Sequence, residues 1–319
     1  MDMIINRVDP AFRDDVMRCF EREIYAIPAR WLYDRQGSEL FEQITDLPEY
    51  YPTRTETALL KRYSAEVAEI TGSDRAVIEF GSGSSTKTPH LLRAAQPAAY
   101  VPIDISGEFL AHSAAQLQQQ FPELAIYPLE ADFMRRLNLP DEVADIPKLG
   151  FFPGSTIGNM IARTSVDLLR FMRETLGTGS QLLIGFDRIK DADVLVAAYD
   201  DSAGVTAEFS LNLLHRINRE MDADIPVEEF CHVAIWNDLH ARIEIYLEAQ
   251  SDMHFSIENR QFNIGIGQKV HIENSHKYGL RDARLMLRAA GWSPVQEWSD
   301  ERDYFSLVLA EAGPLKHAP

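Results

Sequence analysis

The stretch VIEFGSGSSTKT at residues 77–88 combines an apolar run with an acid, two glycines and several hydroxyl side chains. A glycine-rich turn after a strand presents backbone N–H groups to a nucleotide-type ligand. Thr86 stands where a G-x-G-x-x-G dinucleotide motif has its third glycine, and also where a Walker loop has the glycine before its lysine. We therefore expect a nucleotide-type cofactor bound by neither of these two motifs.

Two later segments carry acids at the ends of apolar runs. Asp104 lies in PIDIS, and Asp132 precedes Phe133 in EADF. A carboxylate can accept two hydrogen bonds from a diol such as ribose. The order of Glu79, the glycines, Asp104 and the Asp132–Phe133 pair resembles class I methyltransferases that depend on S-adenosyl-L-methionine (SAM). The resemblance implies a loop against the methionine part of SAM, Asp104 on the ribose, and Asp132 with Phe133 at the adenine.

The elements that must position these residues follow from hydrophobic periodicity. Strand and helix patterns alternate over residues 76–187, which predicts a parallel sheet with helices on both faces. Residues 190–220 have helical spacing, and residues 231–273 alternate with a period of two, as antiparallel strands do. The final runs SPVQEWSD and DYFSLVLA are expected to pair as a hairpin. The predicted fold class is α/β, a class I (Rossmann-like) methyltransferase sheet with a second α+β substrate-binding domain.

The same patterns predict two discontinuous domains. We expect residues 53–189 and 278–319 to form the SAM-dependent methyltransferase domain. Residues 1–52 and 190–277 are then expected to form the substrate-binding domain, inserted before the last helix of the sheet domain.

Composition and charge limit the possible partners. The 319 residues are 45% hydrophobic and 25% charged, and the net charge of -18 disfavours nucleic acid. Cys19 and Cys231 form no CxxC pair, and neither a signal peptide nor an apolar run long enough to span a membrane is evident. None of the nine histidines has a zinc-site spacing. We therefore expect a cytoplasmic protein without a metal, a membrane or a nucleic-acid partner.

Five longer blocks point to one family within this class: IPARWLYDRQGSELFEQITDLPEYYPTRTE, EFGSGSSTKT, FPGSTIGN, AAYDDSAGVTAEFSLNLLHRINRE and HIENSHKY. Together they resemble the histidine Nα-methyltransferases of ergothioneine biosynthesis, and the similarity runs over nearly the whole chain. The resemblance implies a monomeric enzyme that converts L-histidine into N,N,N-trimethylhistidine (hercynine) in three SAM-dependent steps.

The resemblance also implies a set of site residues. The implied cofactor contacts are Tyr33, Gly81, Lys87, Asp104, Asp132 and Phe133. The implied substrate contacts are Tyr50, Gly154, Asn159, Tyr199, Ile245, Glu273 and Ser275. Within this set Asn159 and Tyr199 would bind the carboxylate, Glu273 and Ser275 the imidazole, and the predicted catalytic residues are Tyr33 and Tyr50, which would orient the amine. The residues identify no general base.

Four positions depart from the family pattern. Ile245 stands where the family more usually has methionine, and Ile272, His276 and Gln268 replace an expected threonine, tyrosine and glutamate. Isoleucine is stiffer than methionine, so the shape of the substrate pocket differs. These differences keep open an N-methyltransferase of another amino acid. A NAD-dependent oxidoreductase is the alternative from a different class.

Overall fold

The computed structural model describes residues 8–22, 25–83 and 86–313. The predicted domain segments that begin at residue 1 and end at residue 319 therefore lie partly outside the described residues. The chain divides into two compact units. We call Tyr51–Lys190 with His276–Pro319 the sheet unit, and Met1–Tyr50 with Asp191–Ser275 the second unit. The assignment of cofactor and substrate roles to such units stays a prediction.

The sheet unit is built on an eight-stranded sheet, numbered with all strands along the chain. Its strands are β1 (Ala76–Phe80), β2 (Ala99–Asp104), β3 (Ala125–Ile126), β4 (Leu129–Glu130), β5 (Lys148–Phe152), β6 (Gln181–Asp187), β12 (Trp292–Ser299) and β13 (Phe305–Ala312). The order is β12-β13-β6-β5-β1-β2-β3, with β4 also paired to β2. The β1, β2, β5 and β6 pairs are parallel, whereas β13 is antiparallel to both of its neighbours. The predicted terminal hairpin is confirmed.

Helices cover both faces of this sheet. They are α3 (Tyr51–Thr71), α4 (Thr88–Ala95), α5 (Gly107–Gln120), α6 (Ala162–Leu176) and α9 (Leu280–Ala289). Adjacent residues of β1 serve opposite faces, because Val77 belongs to one buried cluster and Ile78 to the other. A parallel sheet buried on both sides requires nearly continuous apolar strands, and all seven residues of β6 are buried. The predicted α/β class is confirmed.

One predicted strand is shorter than expected. The run AIYPLEADF at residues 125–133 predicts one strand that ends at Asp132 and Phe133. The structure instead has the two short strands β3 and β4, and both residues lie after β4. Pro128 separates the two pieces because proline has no N–H to donate to the ladder. The backbone N–H groups of Tyr127 and Ala131 still donate to the carbonyls of β2.

The second unit combines helices with antiparallel strands, as predicted. Its elements are α1 (Pro10–Glu21), α2 (Arg35–Asp46), α7 (Ala192–Ala197), α8 (Val205–Glu220), β7 (Phe230–Asn237), β8 (Arg242–Ala249), β9 (Met253–Ile257), β10 (Arg260–Ile264) and β11 (Lys269–His276). β7, β8 and β11 form one sheet, and β9 and β10 pair separately. Asp34 caps α2 by accepting from the N–H of Gly37, and it also accepts from Asn212 of α8 at 2.8 Å. The N-terminal segment is thereby fixed to a helix far along the chain.

Among the helices of the described ranges, none is both long and apolar enough to cross a membrane.

Candidate functional site

The loop after β1 lies against the end of β2. The N–H groups of Gly81 and Ser82 donate to the carbonyl of Ile103 at 2.8 and 3.0 Å, and the N–H of Gly83 donates to Asp104 Oδ2 at 3.0 Å. Gly81 has φ +70°, and a Cβ there would lie 3.3 Å from the ring of Phe133. The positive φ favours glycine, and the close approach of this ring leaves little room for a side chain. Ser84 and Ser85 of the same loop lie outside the described residues.

Asp104 is oriented by its own loop. Its Oδ1 accepts from the N–H of Ser106 at 3.0 Å, and its Oδ2 accepts from Gly83. Because each carboxylate oxygen has two lone pairs, both oxygens retain the capacity to accept from a vicinal diol. The carboxylate at the end of β2 is therefore suited to the ribose of a nucleoside.

Phe133 connects the third predicted segment to this loop. Its ring packs edge-to-face on Phe152 with centroids 5.8 Å apart, and it lies beside Gly81. Asp132 accepts from the N–H of Met134 at 2.9 Å, which fixes the turn that follows β4. The structure thus brings Gly81, Asp104 and Phe133 together at one end of the sheet, with Asp132 next to Phe133 in the chain.

Glu79 is the buried acid near the end of β1, just before the loop. It is fully buried and accepts hydrogen bonds from Tyr100 at 2.5 Å and from Thr88 at 2.7 Å. Burial raises the pKa of Glu79 to about 8, although both hydroxyl groups and Lys87 favour its charged form. Because Thr88 begins α4, this acid fixes the helix that follows the loop.

Lys87 and Gly154 meet at a residue that the sequence reasoning did not select. Lys87 Nζ lies 2.6 Å from Glu56 Oε2, and the N–H of Gly154 donates to the same carboxylate at 2.9 Å. Asn159 ends the 3₁₀ turn Thr156–Asn159 that follows Gly154. The sequence signal for Glu56 was its position at the end of the block PEYYPTRTE.

The turn that ends at Asn159 is fixed by the segment after Ser275. His276 Nδ1 lies 2.8 Å from the carbonyl oxygen of Gly158. A Cβ on Gly158 would lie only 2.8 Å from the carbonyl oxygen of His276, so the two backbones touch. His276 is one of the residues that depart from the family pattern, and its ring positions the residue next to Asn159.

These groups fit SAM. The loop offers a carboxylate suited to a ribose diol, an aromatic face for a purine, and a lysine ammonium that could pair with a carboxylate. A side chain at Gly81 would narrow the space beside Phe133. In the part of the chain that the structure describes, no group of three or more His, Cys, Asp or Glu side chains is placed to hold a metal ion.

In the second unit, Tyr199 and Ser275 form a hydrogen bond. Their hydroxyl oxygens are 2.8 Å apart, and the ring of Tyr199 packs edge-to-face on Tyr50 at 5.9 Å. His232 supports Tyr199, because its Nε2 lies 2.8 Å from the carbonyl oxygen of Tyr199 and its Nδ1 lies 2.9 Å from Ser210 Oγ. Burial lowers the pKa of His232, which favours a neutral ring that donates to one partner and accepts from the other. His232 was not selected from the sequence.

Aromatic rings connect Tyr33 to Tyr50. Phe41 lies between them, 5.5 Å from the ring of Tyr33 and 6.2 Å from the ring of Tyr50. Phe209 packs on Tyr33 at 5.4 Å from the side of α8. The sequence signal for Phe41 was its position in the aromatic segment that contains both tyrosines. The structure therefore joins Tyr33, Tyr50 and Tyr199 in one row of aromatic contacts.

Glu273 and Ser275 are buried because β11 changes the phase of its alternation. Residues 270 and 272 are buried, and burial then passes to residues 273 and 275. Two consecutive buried positions shift the inward face by one residue, so an acid and a hydroxyl take inward places. Ile245 in the neighbouring strand β8 is 1% exposed. A period-two reading of the sequence cannot detect this shift.

Comparisons with known proteins identify the family of the chain. A family model described as "Histidine-specific methyltransferase, SAM-dependent" matches residues 12–312. The chain is 37% identical to the histidine N-alpha-methyltransferase of Mycolicibacterium smegmatis over 306 residues, which cover 94% of each protein. It is 38% identical over 310 residues to the histidine N-alpha-methyltransferase of Mycobacterium tuberculosis, again over 94% of each. Ergothioneine biosynthesis protein 1 of Neurospora crassa is 28% identical over 90% of this chain and 33% of its own length.

Proposed function

The chain belongs to the histidine-specific, SAM-dependent methyltransferases, and from this membership we propose that it methylates the α-amine of L-histidine. Three successive transfers, each releasing S-adenosylhomocysteine and a proton, would give N,N,N-trimethylhistidine, an intermediate for ergothioneine biosynthesis. The observation that carries the proposal is the family match over residues 12–312. The predicted family and its cofactor SAM are confirmed by the same match.

We propose that the sheet unit holds SAM, which supplies an electrophilic methyl group on its sulfonium. Asp104 accepts hydrogen bonds from the ribose hydroxyls, as its two oriented oxygens allow. Phe133 provides an apolar face for the adenine, and Asp132 accepts from its amino group. The ammonium of Lys87 pairs with the carboxylate of the methionine part. Gly81 allows the cofactor to approach the loop, and Tyr33 is the contact assigned to the second unit.

We propose that Glu273 and Ser275 recognise the imidazole ring. A carboxylate accepts from one ring nitrogen, and a hydroxyl can donate to the other, which suits a neutral imidazole. Both side chains are buried, so their hydrogen bonds to an imidazole would form away from water, where such bonds are stronger. Ile245 contributes an apolar wall.

We assign Asn159 and Tyr199 to the carboxylate end of the amino acid, and Gly154 as a further substrate contact. The hydrogen bond between Tyr199 and Ser275 links the residues that bind the carboxylate to those that bind the ring. Because these two hydroxyl groups hold each other in place, the contacts for the carboxylate and for the ring lie at a fixed separation. An amino acid with a longer or shorter side chain would then fit less well.

Catalysis in this proposal depends on positioning. The attacking amine must be neutral, and Tyr33 and Tyr50 orient it so that its lone pair faces the methyl carbon. The row of aromatic rings around Tyr50 favours a growing positive charge, because ring faces attract alkylated ammonium groups. Each methylation makes the product nitrogen more apolar, so the same rings hold the intermediates for the next transfer.

Mass spectrometry tests the reaction. Purified protein incubated with SAM and histidine should yield products that carry one, two and three added methyl groups. A second candidate substrate is another amino acid, which the departures from the family pattern at Ile245, Ile272 and His276 keep open. Each of the other amino acids should therefore be supplied in parallel. Methylation of one of them and none of histidine would refute the histidine assignment. Calorimetry with S-adenosylhomocysteine and with NAD distinguishes a methyltransferase from the oxidoreductase alternative. A methyltransferase should bind S-adenosylhomocysteine and not NAD.

We also propose that the protein works as a monomer in the cytoplasm, with small molecules as its ligands. The net charge of -18 supports the absence of nucleic-acid and anionic-membrane partners. Light scattering after size-exclusion chromatography tests the monomer, and a dimer mass would contradict it.

A further inference from the structure

Glu56 is a buried acid of the sheet unit, and its carboxylate fills a space left by a glycine in a neighbouring strand. It lies in α3 and is 0% exposed. Gly185 of β6 leaves the space that this carboxylate fills, because a Cβ at Gly185 would lie 2.4 Å from Glu56 Oε1. A glycine in the middle of a buried strand weakens packing, and here the missing side chain leaves room for both the carboxylate of Glu56 and the ring of Phe305.

One carboxylate binds two separate loops. Lys87 Nζ lies 2.6 Å from Oε2, and the N–H of Gly154 lies 3.0 Å from Oε1 and 2.9 Å from Oε2. Lys87 belongs to the loop after β1, and Gly154 belongs to the turn after β5. Glu56 therefore joins two segments that are more than sixty residues apart in the sequence.

The two loops follow neighbouring strands, β1 and β5, at the centre of the sheet. β1 and β5 are neighbours, with β2 on the outer side of β1 and β6 on the outer side of β5. The chain thus winds in opposite directions from these two strands, which is the place where open α/β sheets bind ligands. Glu56 bridges the two loops on either side of this position.

The charge of Glu56 is needed by Lys87. The side chain of Lys87 is 16% exposed, and its short contact to Glu56 is an ion pair with little access to water. Removing one partner of such a pair leaves the other charge poorly solvated, so the remaining ammonium leaves its position. The hydrogen bond to Gly154 needs only an acceptor oxygen, which an amide also provides.

We propose that Glu56 is a positioning residue that fixes Lys87 and Gly154 relative to each other, so that cofactor binding and amino-acid binding both depend on one buried carboxylate. This inference rests on the proposed function, in which Lys87 contacts SAM and Gly154 contacts the substrate. In this proposal one side chain, Glu56, holds both the loop that carries Lys87 and the turn that carries Gly154.

Two substitutions separate the roles of charge and hydrogen bonding. Glu56→Gln keeps an acceptor for Gly154 but loses the ion pair. We expect its dissociation constant for S-adenosylhomocysteine to rise about tenfold, while the KM of histidine at saturating SAM stays within about twofold of wild type. Glu56→Ala removes both interactions, and both constants should rise at least about tenfold. Calorimetry and initial-rate kinetics measure these two constants.

The double variant Glu56→Gln/Lys87→Met tests the cofactor half of the proposal even where Glu56→Ala fails to fold. If Glu56 acts through Lys87, the double variant binds S-adenosylhomocysteine as weakly as Lys87→Met alone. Additive losses would overturn the proposal. So would a Glu56→Gln variant that melts at lower temperature but keeps both constants, since that pattern describes a purely structural acid.

Glu69→Gln is the control, because Glu69 is an exposed acid of the same helix, α3. Both constants should remain within about twofold of wild type. Binding of S-adenosylhomocysteine is measured without turnover. A failure of histidine methylation would therefore refute the proposed substrate, and the cofactor half of this inference would still be tested.

Discussion

Lys277 and Asp187 form an ion pair in which neither side chain reaches solvent. Lys277 Nζ lies 2.7 Å from Asp187 Oδ2, and the side chains are 0% and 1% exposed. Lys190 donates to Oδ1 of the same carboxylate at 2.5 Å, and the Tyr51 hydroxyl donates to both oxygens at 2.8 Å. Burial alone would raise the pKa of Asp187, but the two ammonium groups hold it below its ordinary value.

This cluster lies where the chain changes units. The chain passes from one unit to the other between residues 50 and 51, 190 and 191, and 275 and 276. Tyr51, Lys190 and Lys277 each lie within two residues of one of these passages, and all three bind Asp187. Ser155 also accepts from the N–H of Asp187 at 2.9 Å, next to Gly154. One acid therefore fixes the sheet-unit ends of all three connections.

Replacement of Asp187 by asparagine should be strongly destabilising. Asp187→Asn leaves two buried ammonium groups without their counter-charge, and we expect the free energy of unfolding to fall by about 3–5 kcal/mol. Urea denaturation measures the loss. The control is Asp167→Asn, which breaks an exposed ion pair with Arg170 and should cost no more than about 1 kcal/mol. Equal losses in the two variants would show that the buried cluster contributes nothing special.

The two lysines of the cluster should differ in importance. Burial lowers the pKa of Lys190 to about 8 despite the nearby Asp187, so its charge is held less firmly than usual. Lys190→Met leaves one ammonium paired with one carboxylate, whereas Lys277→Met removes the partner that is itself 0% exposed. We expect Lys277→Met to lower the melting temperature more than Lys190→Met does. The reverse order in a thermal melt would contradict this description of the cluster.

The stability of the protein should carry a pH dependence from Glu79. The folded protein holds this proton up to about pH 8, whereas the unfolded chain releases it near 4.5. Because the folded state binds more protons between these values, the unfolding free energy of wild type falls there as pH rises, and this contribution is constant above pH 8. In Glu79→Gln that fall should be absent. Denaturation series at several pH values compare it with the exposed control Glu69→Gln, which should follow wild type.

Substitution of Gly158 should disturb the turn that carries Asn159. A Cβ at this position would lie 2.8 Å from the backbone oxygen of His276, and Gly158→Ala should cost about 1–3 kcal/mol of unfolding free energy. The KM of histidine should rise as Asn159 moves. Gly265→Ala is the control, because its nearest neighbour would be 3.4 Å away. An unchanged KM in Gly158→Ala would separate Asn159 from substrate binding.

Reciprocal losses should distinguish the two ligand sites. Glu273→Ala removes a partner of the imidazole and should weaken histidine binding about tenfold to a hundredfold, with cofactor affinity nearly unchanged. Asp104→Ala should weaken S-adenosylhomocysteine by a similar factor and leave the histidine KM nearly constant at saturating SAM. Titrations in which each variant loses both ligands equally would contradict these assignments.

Much of the sheet unit could be predicted from local patterns. The alternation of strands and helices, the terminal hairpin and the glycine turn at Gly81 are encoded within short windows, and each window has the residues its element needs. Pro128 was also visible in the sequence, but the apolar residues on both sides of it led to the prediction of one continuous strand. Here the missing N–H decided the outcome.

The buried charges could not be predicted in the same way. Glu56 contacts partners 31 and 98 residues away along the chain, and Asp187 contacts Tyr51, 136 residues away. The sequence around each acid has only the pattern of an ordinary helix or strand end. The inward turn of Glu273 depends on a one-residue phase shift within β11, which only the packed strand reveals. Such features arise from tertiary packing, which imposes no periodicity on the sequence.

The discontinuity of both units has a consequence for synthesis on the ribosome. Residues 1–50 belong with residues 191–275, so the cap at Asp34 cannot meet Asn212 until α8 has emerged. β13, which separates β6 from β12 in the finished sheet, is made last of all the described strands. Until then the exposed edge of β6 and the apolar face of α2 are aggregation hazards, and the nascent chain must delay closure of both cores.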